Sequence, residues 1–360
     1  MKVAVIGTGN VGIAIAADLS IRGHEVFLIK ASDNKSEAFD RLVNNGNRVF
    51  LKEDGVYTKT TIMEVTRDHS KISEAEVVIV TIQSTYHYWL YGEISRYLRE
   101  DQTMLIICSY LSSFYLLRAY QRTHTDSYPN IAEATGPYLE GRVELGDKPG
   151  EVVFRVGCRL TRSPLSVFYA EAAEQVMAKL KQLYEGLSND YSVIESALLN
   201  PNLVIHTVGA IMSIPRIEYS DGNFCMYREA YSHKNEATLK IMFKLDEEKK
   251  DVLFAYGGRR IDILEAGGFL KGMESFYEYS ESSDRAVSPT SIHSRYITED
   301  VSQGLVLLES LAKYAHIDVP ITTSLIDIAS AALGTDFRKV YGRTVKRLGA
   351  GRWLKRIAMP

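Results

Sequence analysis

A histidine, an arginine and an aspartate in the second half of the chain are the residues best suited to do chemistry. His206 ends the stretch Asn-Pro-Asn-Leu-Val-Ile-His that begins at Asn200, and histidine is the side chain whose ordinary pKa suits acid/base work near neutral pH. Arg295 presents a planar fork suited to a carboxylate, and Asp300 follows five residues later, where we expect a helix to begin. Each has a structural alternative: a core histidine, a surface ion pair for the arginine and a helix cap for the aspartate. The spacing alone leaves open whether the three side chains meet.

The elements that would position this chemistry begin at the N-terminus. The apolar run Lys2–Ile6 leads directly into Gly7-Thr-Gly-Asn-Val-Gly12, and a helical pattern from Ile13 to Ile21 follows. In such a strand–turn–helix unit the glycines permit a tight turn, a close approach of backbone to a pyrophosphate and close packing of the helix on the strand. We therefore expect this loop to bind a dinucleotide through Gly7, Thr8, Gly9, Asn10, Val11 and Gly12.

The end of the second predicted strand, His24–Ile29, indicates which nicotinamide cofactor binds. An Asp or Glu at this place binds the ribose 2′-hydroxyl of NAD, whereas this chain continues with Lys30, Ala31 and Ser32. An ammonium and a hydroxyl attract a 2′-phosphate that a carboxylate would repel. We therefore predict NADP(H) in preference to NAD(H). NAD is the alternative if Lys30 is solvated and Asp33 binds the ribose.

Alternating strand and helix signals continue through the first half. Continuous apolar runs at 77–81 and 104–108 predict parallel strands covered on both faces. After the first of these runs we expect Gln83 and Ser84 to lie near the nicotinamide, and capping of the next helix is the alternative role for Ser84.

A change in character divides the chain. With a further strand at 151–156 and a long helix at 164–187, the first half predicts an α/β Rossmann domain, doubly wound and mainly parallel, over residues 1–190. From Asn200 onward helical patterns prevail, so residues 191–360 are predicted to form an all-α substrate and catalytic domain.

Bulk composition excludes several function classes. At 360 residues the chain is long enough for two domains, and 46% hydrophobic with 24% charged residues is typical of a globular protein. A net charge of −3 favours neither nucleic acid nor an anionic membrane as a partner. Three scattered cysteines indicate a reduced, cytoplasmic location, and no motif has the spacing of a metal site. A monomer and a homodimer both stay open.

The motifs described so far, together with a C-terminal segment, resemble those of the octopine/nopaline (opine) dehydrogenase family. Asn200-Pro-Asn202 followed by His206 is similar to its histidine motif, and Arg295 with Asp300 is similar to its arginine–aspartate motif. The segment 341–349, Tyr-Gly-Arg-Thr-Val-Lys-Arg-Leu-Gly, is similar to its Gly-Arg-Thr segment. The resemblance implies a Rossmann domain followed by a helical domain like that of 6-phosphogluconate dehydrogenase.

The resemblance also implies a reaction and a role for each residue. The family joins the amine of an amino acid to a 2-oxo acid and reduces the imine. His206 would then be the general acid/base and Asp300 would orient its imidazole. Arg295 would bind the 2-oxo acid carboxylate, with Asn202 as a second substrate contact. Two departures indicate a divergent member. Lys30 stands where NAD-using members have an acidic residue, and Thr207 follows the histidine where a proline is frequent.

Two rival interpretations remain at this stage. One is a reductase of the ketopantoate or glycerol-3-phosphate type, which relies on a catalytic lysine where this chain has the Asn200–His206 stretch; only Lys234 and Lys240 could serve instead. The other is a non-catalytic protein that senses NADP, since a Rossmann fingerprint alone does not prove catalysis.

Overall fold

The structure is a computed structural model that describes residues 1–124, 127, 129–146, 150–282 and 287–357, without the side chains of 355–357. The described chain forms two compact units, Met1–Ser196 and Ala197–Pro360. The first unit is α/β and the second is helical, which confirms the predicted fold class.

The first unit contains helices and strands in alternation. Its strands are β1 (Lys2–Ile6), β2 (Glu25–Ile29), β3 (Arg48–Glu53), β4 (Val56–Thr61), β5 (Glu64–Thr66), β6 (Val77–Val80), β7 (Thr103–Ile107), β8 (Asn130–Ala134), β9 (Leu139–Leu145), β10 (Val152–Arg159), β11 (Ser163–Val167) and β12 (Leu187–Asn189). Its helices are α1 (Asn10–Ile21), α2 (Glu37–Asn44), α3 (His87–Ile94), α4 (Ser113–Tyr120), α5 (Ala173–Leu183) and α6 (Val193–Leu198).

The main sheet has the strand order β12-β11-β8-β7-β6-β1-β2-β5. Neighbouring strands in this sheet pair in parallel, except that β11 pairs antiparallel with β8. The chain passes from β1 to β2 on one side and later returns to β6 on the other, so the carboxyl end of β1 is a topological switch point, where open sheets of this kind bind ligands. Strands β1, β6 and β7 are almost entirely buried, as parallel strands covered on both faces should be.

Two predictions about the first unit were wrong in detail. The strand predicted at 151–156 exists as β10, but it belongs to a separate four-stranded sheet of order β4-β3-β10-β9. The helix predicted over 164–187 is shorter, because residues 163–167 form β11 and the helix starts only at Ala173. The pairing of β11 between β8 and β12 buries Leu165 and Val167, which a local helical pattern cannot show.

The second unit is built from helices. They are α7 (Asn202–Met212), α8 (Ile214–Tyr219), α9 (Met226–Ala230), α10 (Glu236–Ala255), α11 (Ile263–Ala266), α12 (Met273–Glu281), α13 (Arg295–Glu299), α14 (Val306–Tyr314), α15 (Pro320–Leu333), α16 (Phe337–Val340), α17 (Val345–Leu348) and α18 (Gly351–Ile357). A π-helical turn, Asp300–Leu305, joins α13 to α14, and all six of its residues are buried. Helix α7 packs against α10, α13 and this π turn, so it lies at the centre of the unit.

Candidate active site

The glycine-rich loop between β1 and α1 has the geometry of a phosphate cradle. Gly7 adopts a φ of 125°, which a residue with a side chain rarely adopts. A Cβ on Gly12 would stand 1.8 Å from the Gly7 carbonyl oxygen, so only glycine lets α1 approach the loop this closely. Gly9 is exposed, and a Cβ there would meet nothing within 4 Å. The open space at Gly9, beside the N-terminus of α1, therefore fits the pyrophosphate of a dinucleotide.

The other predicted loop residues differ in how they are used. Thr8 and Val11 are half-buried, while Asn10 is exposed. The Asn10 side chain accepts a hydrogen bond of 2.9 Å from the Val143 backbone N–H on β9. The first backbone N–H groups of a helix have no partner within the helix, so at Asn10 it is the main chain that suits a phosphate.

Cationic side chains gather where β2 ends. Lys30 is only 6% exposed, so the alternative of a solvated strand-end lysine is wrong. Burial lowers the pKa of Lys30, and the nearby Arg67 lowers it further. Ser32 is half-buried, and its carbonyl accepts a 2.6 Å hydrogen bond from Nη1 of Arg67. Arg67 was not predicted from the sequence, because it reaches this place only through the pairing of β2 with β5.

Gln83 and Ser84 follow β6 at the same edge of the sheet as the glycine-rich loop. Gln83 is exposed, while Ser84 is 1% exposed within a 3₁₀ turn, Ser84–Tyr86. This 3₁₀ turn leads directly into α3, which Tyr86 precedes.

In the second unit the structure brings His206 and Asp300 together. Nδ1 of His206 lies 2.8 Å from Oδ2 of Asp300, and their side chains are 5% and 3% exposed. A carboxylate only accepts hydrogen bonds, so the imidazole donates from Nδ1 and its Nε2 lone pair points the other way. His206 comes from the middle of α7 and Asp300 opens the π turn. The expectation that Asp300 starts a helix was wrong, because α13 precedes it directly.

Two tyrosines complete the surroundings of the imidazole, and sequence reasoning missed both. The Tyr227 hydroxyl lies 3.2 Å from Nε2 of His206, so in the neutral imidazole the phenol donates to Nε2. Tyr296 stacks on His206 with ring centroids 3.7 Å apart and planes inclined by 8°. Tyr296 precedes Asp300 by four residues, and this helical spacing was an available signal. For Tyr227, which lies 21 residues after the histidine, no local signal exists.

Burial sets the protonation state of the histidine. The pKa of His206 is lowered from its ordinary value of 6.5, chiefly by desolvation. The hydrogen bond and the charge of Asp300 raise the pKa but do not outweigh burial, and the charge of Arg295 lowers the pKa further. The gain in basicity that Asp300 gives the imidazole is therefore smaller than the cost of burying a charge. The site holds an imidazole that is neutral at neutral pH and can accept a proton.

The predicted substrate contacts lie one helical turn or so away from this pair. Arg295 is the first residue of α13, with a side chain 44% exposed and its Nη1 3.8 Å from Oε2 of Glu299. Its charge acts on His206. Asn202 is the first residue of α7 and precedes His206 by four positions, so both side chains share one face of that helix.

Other classes of site find less support in the described residues. No group of three or more His, Cys, Asp or Glu side chains there is arranged to hold a metal ion. None of the helices described has the length and apolar character needed to cross a bilayer. The rival lysines Lys234 and Lys240 are exposed, and Lys240 forms a 3.0 Å ion pair with Glu236 on its own helix.

Comparison with known proteins points to one group of enzymes. The family model for the alpha-helical domain of NAD/NADP octopine/nopaline dehydrogenases matches residues 189–333. The model for the N-terminus of NAD-dependent glycerol-3-phosphate dehydrogenase matches residues 2–137. An opine dehydrogenase of Arthrobacter sp. (strain 1C) is 25% identical over 354 residues, which cover 96% of this chain and 94% of the relative. A vitopine synthase of Allorhizobium ampelinum is 23% identical and covers 97% of this chain and 96% of its own length.

Solved structures share the fold over nearly the whole chain. Octopine dehydrogenase in complex with NADH and L-arginine superposes with a TM-score of 0.72 at 19% identity, covering 98% of this chain and 96% of the other. A ketopantoate reductase of Ralstonia eutropha JMP134 superposes less well, with a TM-score of 0.62 at 17% identity over 92% of this chain and 98% of the other.

Proposed function

The chain is a divergent member of the octopine/nopaline (opine) dehydrogenase family, and on that premise we propose that it catalyses an NAD(P)H-dependent reductive condensation. In this reaction an amino acid and a 2-oxo acid lose water to form an imine, and addition of a hydride and a proton gives a secondary-amine dicarboxylic acid. The bound nicotinamide cofactor supplies the hydride. The chain is thus an oxidoreductase acting on CH–NH donors, and the reaction is reversible.

The buried pair of His206 and Asp300 is the observation that carries the proposal. Asp300 fixes the imidazole by its 2.8 Å contact to Nδ1, so that Nε2 presents its lone pair on the opposite side. In amine oxidation Nε2 accepts the proton, and in the condensation the same nitrogen returns it to the substrate oxygen or nitrogen. The lowered pKa of His206 favours the neutral form, which is the form needed to accept a proton.

The two carboxylates of such a substrate need cationic and polar contacts. The half-exposed Arg295 is suited to hold the 2-oxo acid carboxylate by a bidentate pair. Asn202 shares its helix face with His206 and supplies amide groups to the substrate. These assignments make Arg295 and Asn202 substrate-binding residues. His206 transfers the proton, and Asp300 positions the imidazole of His206.

For the cofactor we propose a preference for NADP(H), with NAD(H) as the weaker ligand. The pyrophosphate would lie on the N–H groups at Gly7–Gly12, and Gln83 and Ser84 would lie near the nicotinamide. Lys30 and Ser32, at the end of β2, would meet the 2′-phosphate. The buried position of Lys30 supports this choice, because the phosphate would offset the cost of holding an ammonium away from water.

A screen of cofactor consumption tests the proposal. Pyruvate and other 2-oxo acids are combined with a panel of amino acids, and the absorbance of NADPH or NADH is followed. We expect oxidation that requires both partners, and a product containing a secondary amine by mass spectrometry. Oxidation with a 2-oxo acid alone would instead indicate a ketopantoate-type reductase. Tight cofactor binding without turnover by any pair would indicate a sensing protein.

A further inference from the structure

The strand pairing at one edge of the main sheet places Arg67 beside Lys30. β2 and β5 run in parallel with Ile29 opposite Thr66, and the Lys30 backbone N–H donates to the Thr66 carbonyl at 2.9 Å. The residues that follow the two strands therefore emerge at the same edge, where the adenosine ribose of a bound dinucleotide lies in folds of this kind.

Arg67 is held at this edge by three contacts of different kinds. Its guanidinium lies over the Phe39 ring, 4.8 Å from the centroid, and Nη1 donates to the Ser32 carbonyl at 2.6 Å. Nη1 also lies 3.6 Å from Oδ1 of Asp33. Because a guanidinium carries five N–H donors, the carbonyl bond leaves most of them for an anion, and the side chain is 38% exposed.

The charges here are arranged to receive an anion. Lys30 and Arg67 repel each other, and Asp33 and Asp40 attract Lys30. Asp33 is fully exposed, so its carboxylate can turn into solvent when a stronger anion arrives. A phosphate bears more charge than a carboxylate and takes several charge-assisted hydrogen bonds.

We propose that Arg67 and Lys30 together bind the 2′-phosphate of NADP(H), and that Asp33 holds Arg67 in place until the phosphate displaces it. Arg67 is then the residue that determines cofactor specificity, and it follows β5, whereas Lys30 follows β2. This inference rests on the proposed function in two respects, namely that a nicotinamide dinucleotide binds to the first unit and that NADP(H) is the preferred one.

Direct binding measurements on the full chain test the inference. Dissociation constants for NADPH and NADH are measured by fluorescence titration, and those for 2′-AMP and 5′-AMP by calorimetry, in wild type and in Arg67→Ala. We expect the constants for NADPH and 2′-AMP to rise about 10- to 100-fold, which is the size of a charge-assisted contact. Those for NADH and 5′-AMP should change less than about threefold, because they carry no 2′-phosphate.

Arg99 supplies a matched control. It too donates to a backbone carbonyl, that of Ser73, and pairs with an aspartate, Asp101, at 3.0 Å with 40% of its side chain exposed. Because it precedes β7, it lies at the opposite edge of the sheet, and Arg99→Ala should alter no dissociation constant. Asp33→Asn should tighten NADPH binding severalfold and leave NADH unchanged, because it removes the competing carboxylate.

Each outcome separates this inference from the proposal beneath it. If Arg67→Ala weakens the binding of NADPH and of NADH equally, or changes the binding of neither, the assignment of the 2′-phosphate site is overturned, while dinucleotide binding stands. If the folded wild type binds neither cofactor, the proposed function itself fails. Equal weakening by Arg99→Ala would likewise overturn the assignment, since the effect would then be one of overall charge.

Discussion

The sharpest test of the active site replaces His206 by asparagine. The asparagine side chain keeps an N–H donor near the position of Nδ1, so the 2.8 Å contact to Asp300 is retained. It lacks any counterpart of Nε2, the nitrogen to which we assign proton transfer. General acid/base help is typically worth about 10² to 10⁴ in rate, or about 2.7 to 5.4 kcal/mol of activation free energy. We therefore expect kcat to fall by that factor.

His206→Ala separates catalysis from folding. It removes the same Nε2 but also takes the imidazole donor away from a carboxylate that is only 3% exposed. Losing a buried hydrogen bond to a charged group costs on the order of 3 kcal/mol of stability. The alanine variant should therefore lose kcat to the same extent and in addition unfold at a lower temperature or urea concentration than the asparagine variant.

The assay follows NADPH consumption with the best substrate pair, alongside thermal melts and cofactor titrations. A matched control is His233→Ala, since His233 pairs with Glu281 at 2.7 Å but at the surface, with 62% of its side chain exposed. This control should keep both kcat and stability, and none of the variants should alter the dissociation constant for NADPH. Retention of kcat within tenfold by His206→Asn would refute the role given to Nε2.

Three further predictions concern the same site. Because the pKa of His206 is lowered in the folded protein, the stability that the neutral ring contributes is fully present above pH 6.5 and is lost as pH falls through the lower folded pKa. The melting temperature of wild type should therefore fall more on acidification than that of His206→Asn. Parallel curves of melting temperature against pH for the two proteins would contradict this. The Tyr227 hydroxyl can also accept a hydrogen bond from the protonated Nε2, and this charge-assisted bond is stronger than the one to the neutral ring. Tyr227→Phe should therefore lower the pKa of His206 further and move the acid limb of the pH–rate profile to lower pH; an unmoved limb would argue against that hydrogen bond. Arg295→Ala should raise the KM for the 2-oxo acid about 10- to 100-fold with little change in kcat, whereas Arg216→Ala, at an exposed ion pair with Glu229, should leave KM unaltered.

Local sequence was sufficient for the parts of the site that lie close together along the chain. The fingerprint Gly7–Gly12 predicted the β1–α1 turn, because a strand, three spaced glycines and a helix follow one another without interruption. The pairing of His206 with Asp300, 94 residues apart, came from resemblance to a family, since no rule of spacing reaches that far.

Features created by long-range packing could not be predicted from the sequence. Arg67 reaches the carboxyl end of β2 only because β5 pairs with β2, and Tyr227 contacts His206 only through the packing of α9 on α7. The lowered pKa of His206 depends on burial, which a list of neighbours along the chain does not give. Physical reasoning from spacing thus finds candidate side chains, but the tertiary fold decides their protonation and their partners.

The π turn at Asp300–Leu305 makes the site sensitive to chain length. A residue inserted into a regular α-helix rotates everything beyond it by about 100°, whereas a π turn absorbs one such extra residue in a single wider turn. α13 therefore keeps Tyr296 and Arg295 on the side of the imidazole although the turn holds an extra residue, and a second inserted residue would rotate α13 against α14 by roughly 100°. Substitutions in this turn should therefore be better tolerated than further single-residue insertions, because the alignment of the groups around His206 depends on the helical phase that the wide turn preserves.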